Sequence, residues 1–560
     1  MLSVPRGLTP RAVKLPTAFT YARWRRPSSN VAPNTSKPFY VTTPIFYPNS
    51  VPHIGHLYSL VVADIFSRYN KLCHPELPAH FITGTDEHGW KIQRSAEQKG
   101  MEPLAFCDQL SVHFRELVKK ANVNVTRFTR TSEEEHCNAV HHLWRQLEAK
   151  NLIYKGQHDG WYSISDECFY TESQITKITS PSGAETVQKD DYMAIETSSR
   201  VERLTEENYK FRLSEFRDQL LSYYKQNPDV IYPPQQYEDV LQMLSEPLND
   251  LSISRPRERL HWGIPVPSDP GHTIYVWIDA LTTYLSSVGY PWPSGDTGFS
   301  YGWPPNLQVI GKDILRFHAI YLPAILMALD IPQAQRILSH AHWTVEYRKM
   351  SKSLGNVVDP VKAIDQYGID VVRYYLARVG GRFKGDISWD SEQLEKVSKE
   401  ISSLLGNLFL RITSKSIQIR ALKGEKLLSS TKENGIGEES AKLIGKLQNL
   451  RDVVQQNMNA LVPAEALEEI TLVLREANAV VTFVAPWSKT TPLEAVHGVH
   501  VLTLECLRVC GTLLQPFMPA KSTQLLDALG IPEKNRFMED AVYDLGRVQL
   551  ERVTPGIKLF

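Results

Sequence analysis

The alternation of apolar and polar positions in the first hundred residues predicts a strand, a tight turn and a helix. FYVTT at 39–43 is a short β-prone run bounded by Pro44, and beyond it Leu57, Leu60, Val61, Asp64, Ile65 and Arg68 recur at helical spacing. Between the two, the segment YPNSVPHIGH places His53 and His56 around Gly55 at the start of that helix. Far along the chain, Asp359 and Pro360 read as N-cap and first residue of a helix over PVKAIDQYG. YVWID at 275–279 reads as a strand with a core tryptophan. From about Asp390 the pattern turns helical, with Val397, Ile401, Leu404, Leu405, Leu408 and Ile412 forming one stripe at spacings of three and four. Asn407 and Arg411 share a neighbouring polar face. The Pro before Trp487 is expected to end the helix LVLREANAVVTFVA and push the indole out of the stripe. VHVLTLECLRVCGTLLQPF and AKSTQLLDALG read as closing helices.

Length and composition narrow this picture only a little. The 560 residues, 42% hydrophobic and 22% charged, suit a globular protein of several domains. Lys+Arg and Asp+Glu both number 62, so any polyanionic partner has to be met by local basic surface. No run approaches the ~18 apolar residues of a spanning helix. The cysteines at 73, 107, 137, 168, 506 and 510 form no CxxC pair, which predicts reduced thiols and no zinc site.

Charge is uneven at one end. Met1 to Ala63 contains no Asp or Glu, while Arg6, Arg11, Lys14, Arg23, Arg25, Arg26 and Lys37 sit among Ser, Thr and Pro. That is the makeup of an organelle transit peptide, here expected over 1–37 and mitochondrial.

Two segments carry candidate chemistry. In VEYRKMSKSLGNVVDP at 345–360, Lys349 and Lys352 stand three apart with Met350 and Ser351 between them. Two ammonium groups among small hydroxyls suit a di- or triphosphate whose charge shifts during reaction. His53 and His56, at a strand-to-helix turn, offer ring N–H donors to the same phosphates, and Gly55 permits close approach of the anion. This is an anion clamp rather than a metal site. Taken singly, a histidine pair and a lysine-serine loop are ordinary surface features. Together, in this order, they resemble the HIGH and KMSKS signatures of class I aminoacyl-tRNA synthetases.

The resemblance sharpens to the methionyl-tRNA synthetase family and covers nearly all the chain after residue 38. PIFYPNSVPHIGH opens the nucleotide fold, FITGTDEHG (81–89) matches the family's second strand and turn, and YVWIDALTTY (275–284) and VIGKDILRFH (309–318) match its third and fourth strands. The fold implied is α/β: a Rossmann-type parallel-sheet catalytic domain with a short connective insert, followed by an all-α anticodon-binding bundle. The expected divisions are 38–120 and 256–340 for the two catalytic halves, 121–255 for the insert, 341–390 for the KMSKS loop and linker, and 391–560 for the bundle.

By resemblance, Asp86 holds the methionine ammonium, while Ile45, Tyr47, Trp277, Ala280, Leu281, Tyr284, Phe317 and His318 shape a side-chain pocket. An aromatic slot suits a flexible, polarizable thioether. His53, Gly55, His56, Gly311, Asp313, Lys349, Ser351, Lys352 and Ser353 fall on the ATP side, with His53, His56, Lys349 and Lys352 catalytic. Asn407, Arg411 and Trp487 fall where the family reads the CAU anticodon, an indole suiting an unpaired base.

The implied reaction joins L-methionine to ATP, with Mg2+ accompanying the nucleotide, and then to tRNA(Met) in the mitochondrial matrix. The insert is too short for an editing domain of the valine, isoleucine or leucine enzymes. GWYSISDECFYTESQI (160–175) resembles the family's metal knuckle, yet only Cys168 remains and Ser163 stands where a first cysteine belongs. One thiolate does not complete a tetrahedral site, so no zinc is expected and Cys168 is expected to be a small buried side chain. A monomer with no membrane association is the expected state. The rival readings are another class I synthetase and an inactive RNA-binding paralogue; the intact signatures disfavour the second.

Overall fold

The computed structural model describes residues 37–163, 168–170, 172–178, 191–195, 199–350, 356–428 and 435–560. The expected transit peptide, the burial of Cys168 and the side chains of Lys349, Ser351, Lys352 and Ser353 lie outside what is described.

A six-stranded sheet organises the chain. Its order is Arg127–Arg130, Ala79–Thr85, Phe39–Phe46, Leu307–Gly311, Ile337–His340, Ile231–Tyr232, and every pairing is parallel. All six strands therefore end on one edge. The first strand in sequence has its neighbours on opposite sides, which makes its carboxyl end the switch point where such sheets bind ligands. Its register against Ala79–Thr85 shifts between Thr42 and Ile45, around Pro44, which has no N–H to give the ladder. On the next strand, a Cβ on Gly84 would stand 1.9 Å from the Thr129 carbonyl oxygen, so only glycine lets these strands approach.

The predicted helix forms at Ile54–Cys73, with Leu57, Leu60, Val61 and Ile65 buried. Asp64 is buried with them and accepts from Arg68 Nε at 2.6 Å and from Arg373 Nη2 at 2.7 Å.

Several expectations are corrected. The segment assigned to the insert, 121–255, contains two strands of the parallel sheet, Arg127–Arg130 and Ile231–Tyr232. Both are short: Arg127–Arg130 is broken by two arginines paired with Glu133 and Glu87, and Ile231–Tyr232 is only two residues long. The catalytic sheet thus extends past residue 120. The antiparallel insert is built on a long pairing that runs from Ile153 opposite Phe211 to Tyr162 opposite Glu202. The segment 275–284 is not a strand: Val276–Ser286 is a helix following the strand Asp269–Ile274. Five alternating residues fit either period, whereas Trp277, Ala280, Leu281 and Tyr284 repeat at the helical one. The stretch 341–390 is more than a linker, because Ile369–Gly380 buries Val371, Val372, Tyr374, Tyr375 and Leu376. Asp359 does cap the helix Pro360–Tyr367, its side chain accepting from Val361 N at 2.8 Å.

The C-terminal part is helical, as expected. Val397, Ile401, Leu405, Leu408 and Ile412 are buried, but Leu404 is only half-buried because a π-turn at Ser402–Asn407 rotates the stripe. One continuous apolar core runs from Val41 and Ile54 under the sheet to Leu474, Leu507 and Leu525 in the bundle. Among the described residues, no helix is long and apolar enough to cross a membrane.

Candidate active site

The turn after the first strand is closed by its own histidines. His53 is the N-cap in extended conformation; its Nδ1 accepts from Gly55 N at 3.0 Å, and His56 Nδ1 accepts from His53 N at 3.0 Å. This is a capping box in which two imidazoles replace the usual hydroxyl and carboxylate. A ring nitrogen that accepts is unprotonated, so each neutral ring carries its proton on Nε2. The rings lie 3.8 Å apart between centroids. A Cβ on Gly55 would sit 2.9 Å from His53 Cε1, so the glycine first of all makes room for the histidine beside it.

The chain flanking the lysine-serine segment returns to this turn. Arg348–Lys349 pairs with Trp343–Val345, and past the loop the carbonyl of Val358 accepts from Ile54 N at 3.1 Å. The far flank of the loop is therefore bonded to the first residue of the histidine helix.

Asp86 follows the strand Ala79–Thr85, donates its backbone N–H to Phe46 O at 2.9 Å and is 3% exposed. Next to it, Glu87 is fully buried and accepts from Thr85 Oγ1 at 2.7 Å, Arg130 Nε at 2.6 Å and Ser132 Oγ at 2.5 Å. His88 Nδ1 donates to Asp279 Oδ2 at 2.6 Å, and His136 Nε2 donates to Asp279 Oδ1 at 2.6 Å. Burial opposes ionisation of Asp279, but the two imidazoles outweigh it and hold the carboxyl below its usual range. Glu87, His88, His136 and Asp279 were missed by the sequence reading. Glu87 and His88 lay inside FITGTDEHG and Asp279 inside YVWIDALTTY, but nothing local announced their partners on distant segments.

The helix Val276–Ser286 brings the predicted pocket together. Trp277, Ala280, Leu281 and Tyr284 share its inner face, and the Trp277 ring stacks on Phe317 with centroids 3.6 Å apart and planes 12° off parallel. Phe317 and His318 open a π-turn, Phe317–Tyr321. His318 Nδ1 donates to Ile314 O at 2.9 Å, which leaves Nε2 to accept the Tyr284 hydroxyl at 2.6 Å. Burial lowers His318 to about 4, so it is neutral at pH 7. Burial, with the Asp86 carboxylate adding to it, raises the Tyr284 hydroxyl. Ile45 and Tyr47, at the end of the first strand, are half-buried; Tyr47 packs against the apolar cluster that contains Tyr284 and Phe317, with Lys91 Nζ 4.6 Å from its ring centre.

Gly311 ends the neighbouring strand, and a Cβ there would stand 2.7 Å from Asp313 Oδ1. Asp313 is 3.1 Å from His342 Nε2. The turns bearing His53 and His56, Asp86, and Gly311 and Asp313 therefore leave three adjacent strands on the same edge.

A second cluster sits in the bundle. Ala485, in the left-handed region at φ 48°, stops the helix Pro463–Val484, and Trp487 projects 49% exposed. The Arg411 guanidinium lies 5.0 Å from its ring centre, and Asn407 is exposed one turn away. Arg420, also missed by the sequence reading, holds the Trp487 loop by donating to the carbonyls of Pro486, Ser488 and Thr491 at 2.6 Å each.

Ser163 is buried where a thiolate would be needed, the guanidinium of Arg255 occupies the neighbourhood, and no cluster of three or more His, Cys, Asp or Glu is placed to hold an ion among the described residues.

Comparison with known proteins shows the family. Residues 39–413 match a family described as tRNA synthetases class I (M), and residues 431–556 match the anticodon binding domain of methionyl tRNA ligase. The chain is 45% identical over 518 residues to a probable mitochondrial methionine–tRNA ligase of Neurospora crassa, covering 90% of this chain and 82% of that one. It is 42% identical over 516 residues to the mitochondrial methionine–tRNA ligase of Mus musculus, covering 89% and 86%. The structure of Mycobacterium tuberculosis methionyl-tRNA synthetase in complex with methionyl-adenylate superposes with TM-score 0.82 at 34% identity, over 94% of this chain and 99% of that one. By these matches, which span most of its length, the chain belongs to the methionyl-tRNA synthetase family of class I aminoacyl-tRNA synthetases.

Proposed function

We propose that the chain activates L-methionine with ATP, releasing pyrophosphate, and transfers the aminoacyl group to the 3′ end of tRNA(Met), serving protein synthesis in the mitochondrial matrix. One observation carries the reading. The His53–His56 turn, tied through Ile54 and Val358 to the chain flanking the lysine-serine segment, shares a sheet edge with Asp86 and with the strand Leu307–Gly311, after which Phe317 stacks on Trp277.

In this reading the methionine ammonium meets the Asp86 carboxylate and its thioether enters the slot walled by Ile45, Tyr47, Trp277, Ala280, Leu281, Tyr284, Phe317 and His318. A neutral His318 held by Tyr284 keeps that end uncharged, as a thioether requires. ATP lies across Gly311 and Asp313 with its phosphates toward the Nε2–H groups of His53 and His56. The methionine carboxylate attacks the α-phosphorus. Lys349 and Lys352, with Ser351 and Ser353, meet the charge developing on the departing pyrophosphate. Mg2+ bound with ATP neutralises phosphate charge. The protein forms no covalent bond, so its contribution is positioning and charge stabilisation.

At the other end Trp487 stacks an anticodon base, while Asn407 and Arg411 read base edges. The knuckle works without zinc, and the enzyme acts as a monomer.

The test is ATP–pyrophosphate exchange with each of the twenty amino acids. Methionine alone should support exchange. Activation of valine without methionine would reject the reading.

A further inference from the structure

The insert hairpin has little core of its own. Tyr170, Ile175, Ala194 and Val201 are the buried apolar side chains of its cluster among the described residues. Lobes this small are held by a disulfide or metal, or by another cross-link. Here a column of rings and guanidinium groups takes that place. The Arg255 guanidinium carbon lies 4.9 Å from the Phe169 ring centre, 5.2 Å from Tyr162 and 4.8 Å from Tyr275. The Arg259 guanidinium shares Tyr162 at 5.2 Å and lies 4.5 Å from Trp90. Glu206 bridges the cations, 3.5 Å from Arg255 Nε and 3.3 Å from Arg259 Nη1, and accepts from Asn208 Nδ2 at 2.9 Å. Arg255 also donates to Ser252 Oγ at 2.9 Å and is 2% exposed. A buried cation surrounded by π faces is held by every face at once.

The column starts at the hairpin with Tyr162 and Phe169 and ends on both segments that build the amino-acid slot. Tyr275 immediately precedes the helix bearing Trp277. Trp90 opens the helix after the Asp86–Gly89 turn. The chain beyond Arg259 is fastened to the same turn: Trp262 Nε1 donates to Glu87 O at 2.5 Å, and the Trp262 ring meets His88 at 5.3 Å.

We propose that Arg255 is a positioning residue for methionine, the cation at the centre of a metal-free staple that fixes the insert hairpin against the Trp277 slot. The inference rests on reading that slot as the methionine site. Loss of the staple lets Tyr275 and Trp90 drift, and with them the segments carrying Trp277 and Asp86. The turns bearing His53 and Gly311 hang from other strands. The effect therefore falls on methionine and spares ATP.

Exchange kinetics on the full chain test this, beginning with the wild type, whose methionine dependence checks the underlying reading separately. Arg255→Gln should raise KM for methionine about tenfold, the scale of a desolvated cation–π contact, with KM for ATP within about twofold. Arg255→Lys keeps a cation among the rings and should recover most of the loss. Metal chelation with 1,10-phenanthroline should leave the wild-type melting temperature and KM for methionine unchanged. Should Arg255→Gln not fold, Phe169→Leu removes one ring without stranding the buried Glu206 charge and should raise KM for methionine about threefold, a fraction of one cation–π contact. An unchanged KM for methionine in the folded variants overturns the proposal. So does an equal rise for ATP, a lysine variant no better than glutamine, or a wild type sensitive to the chelator.

Discussion

Asp279 Oδ2 lies 2.6 Å from His88 Nδ1, joining the helix that carries Trp277 to the turn that follows Asp86. The other carboxylate oxygen takes His136 in the same way, so one buried charge holds two imidazoles. Asp279→Asn removes that charge and should cost about 2 kcal/mol of stability, the value of a hydrogen bond to a charged group. Because the folded carboxyl titrates below its unfolded value of about 3.9, its contribution is present above that pH and is lost as pH falls through the folded value. Urea unfolding at pH 7 and near pH 3 should show the gap between wild type and variant closing in acid.

Three buried histidines predict a second, milder acid limb. Burial brings His318, His340 and His500 each to about 4. The unfolded chain binds their protons near pH 6.5, so stability is full above that value and declines as pH falls toward 4, by up to roughly 3 kcal/mol per residue. His500 lies in the bundle, away from the site. His500→Leu should shrink the loss in unfolding free energy between pH 7 and 5 by about 2 kcal/mol. An unchanged pH slope would refute the assignment.

His56 caps its helix, and the proposed function also makes it a phosphate donor; the two roles separate by substitution. His56→Ala should lose about 1 kcal/mol of stability with the cap and about 10²-fold or more in exchange rate with the donor. Glutamine at the third helical position completes capping boxes, so His56→Gln should regain the stability but not the rate. Thermal melts alongside exchange assays resolve the pair. A glutamine variant as fast as wild type would show that the ring is a cap alone.

Arg420 offers a readout at the other end of the molecule. Three carbonyls of the Trp487 loop converge on it, so Arg420→Ala should loosen the indole without touching the amino-acid slot. Both Arg420→Ala and Trp487→Ala should leave methionine-dependent exchange unchanged and weaken tRNA aminoacylation by about tenfold, the worth of a stacked base. Equal loss in both assays would assign the two residues to the bundle's packing.

Much of this molecule was legible residue by residue, and the failures share a cause. Strand, turn and helix around His53 could be read because apolar spacing and caps are local signals. The Trp277 segment was assigned the wrong element because a short apolar run satisfies two periods, and only its neighbours across the pocket decide between them. Arg127–Arg130 and Ile231–Tyr232 went unrecognised as sheet strands because four and two residues carry no pattern of their own. The ties among Glu87, Arg130, His88, His136 and Asp279 bridge long stretches of chain. Each partner looks like an ordinary polar residue until folding removes the water around it.

Arg373 makes the last relationship plain. Its guanidinium grips Asp64 midway along the histidine helix, and the same group donates to the carbonyls of Pro516 at 2.9 Å and Phe517 at 3.2 Å in the bundle. Any swivel of the bundle about the sheet would strand a desolvated cation, a penalty of several kcal/mol. One buried guanidinium therefore locks the histidine helix and the C-terminal helices at a fixed separation, so the two move as a single body.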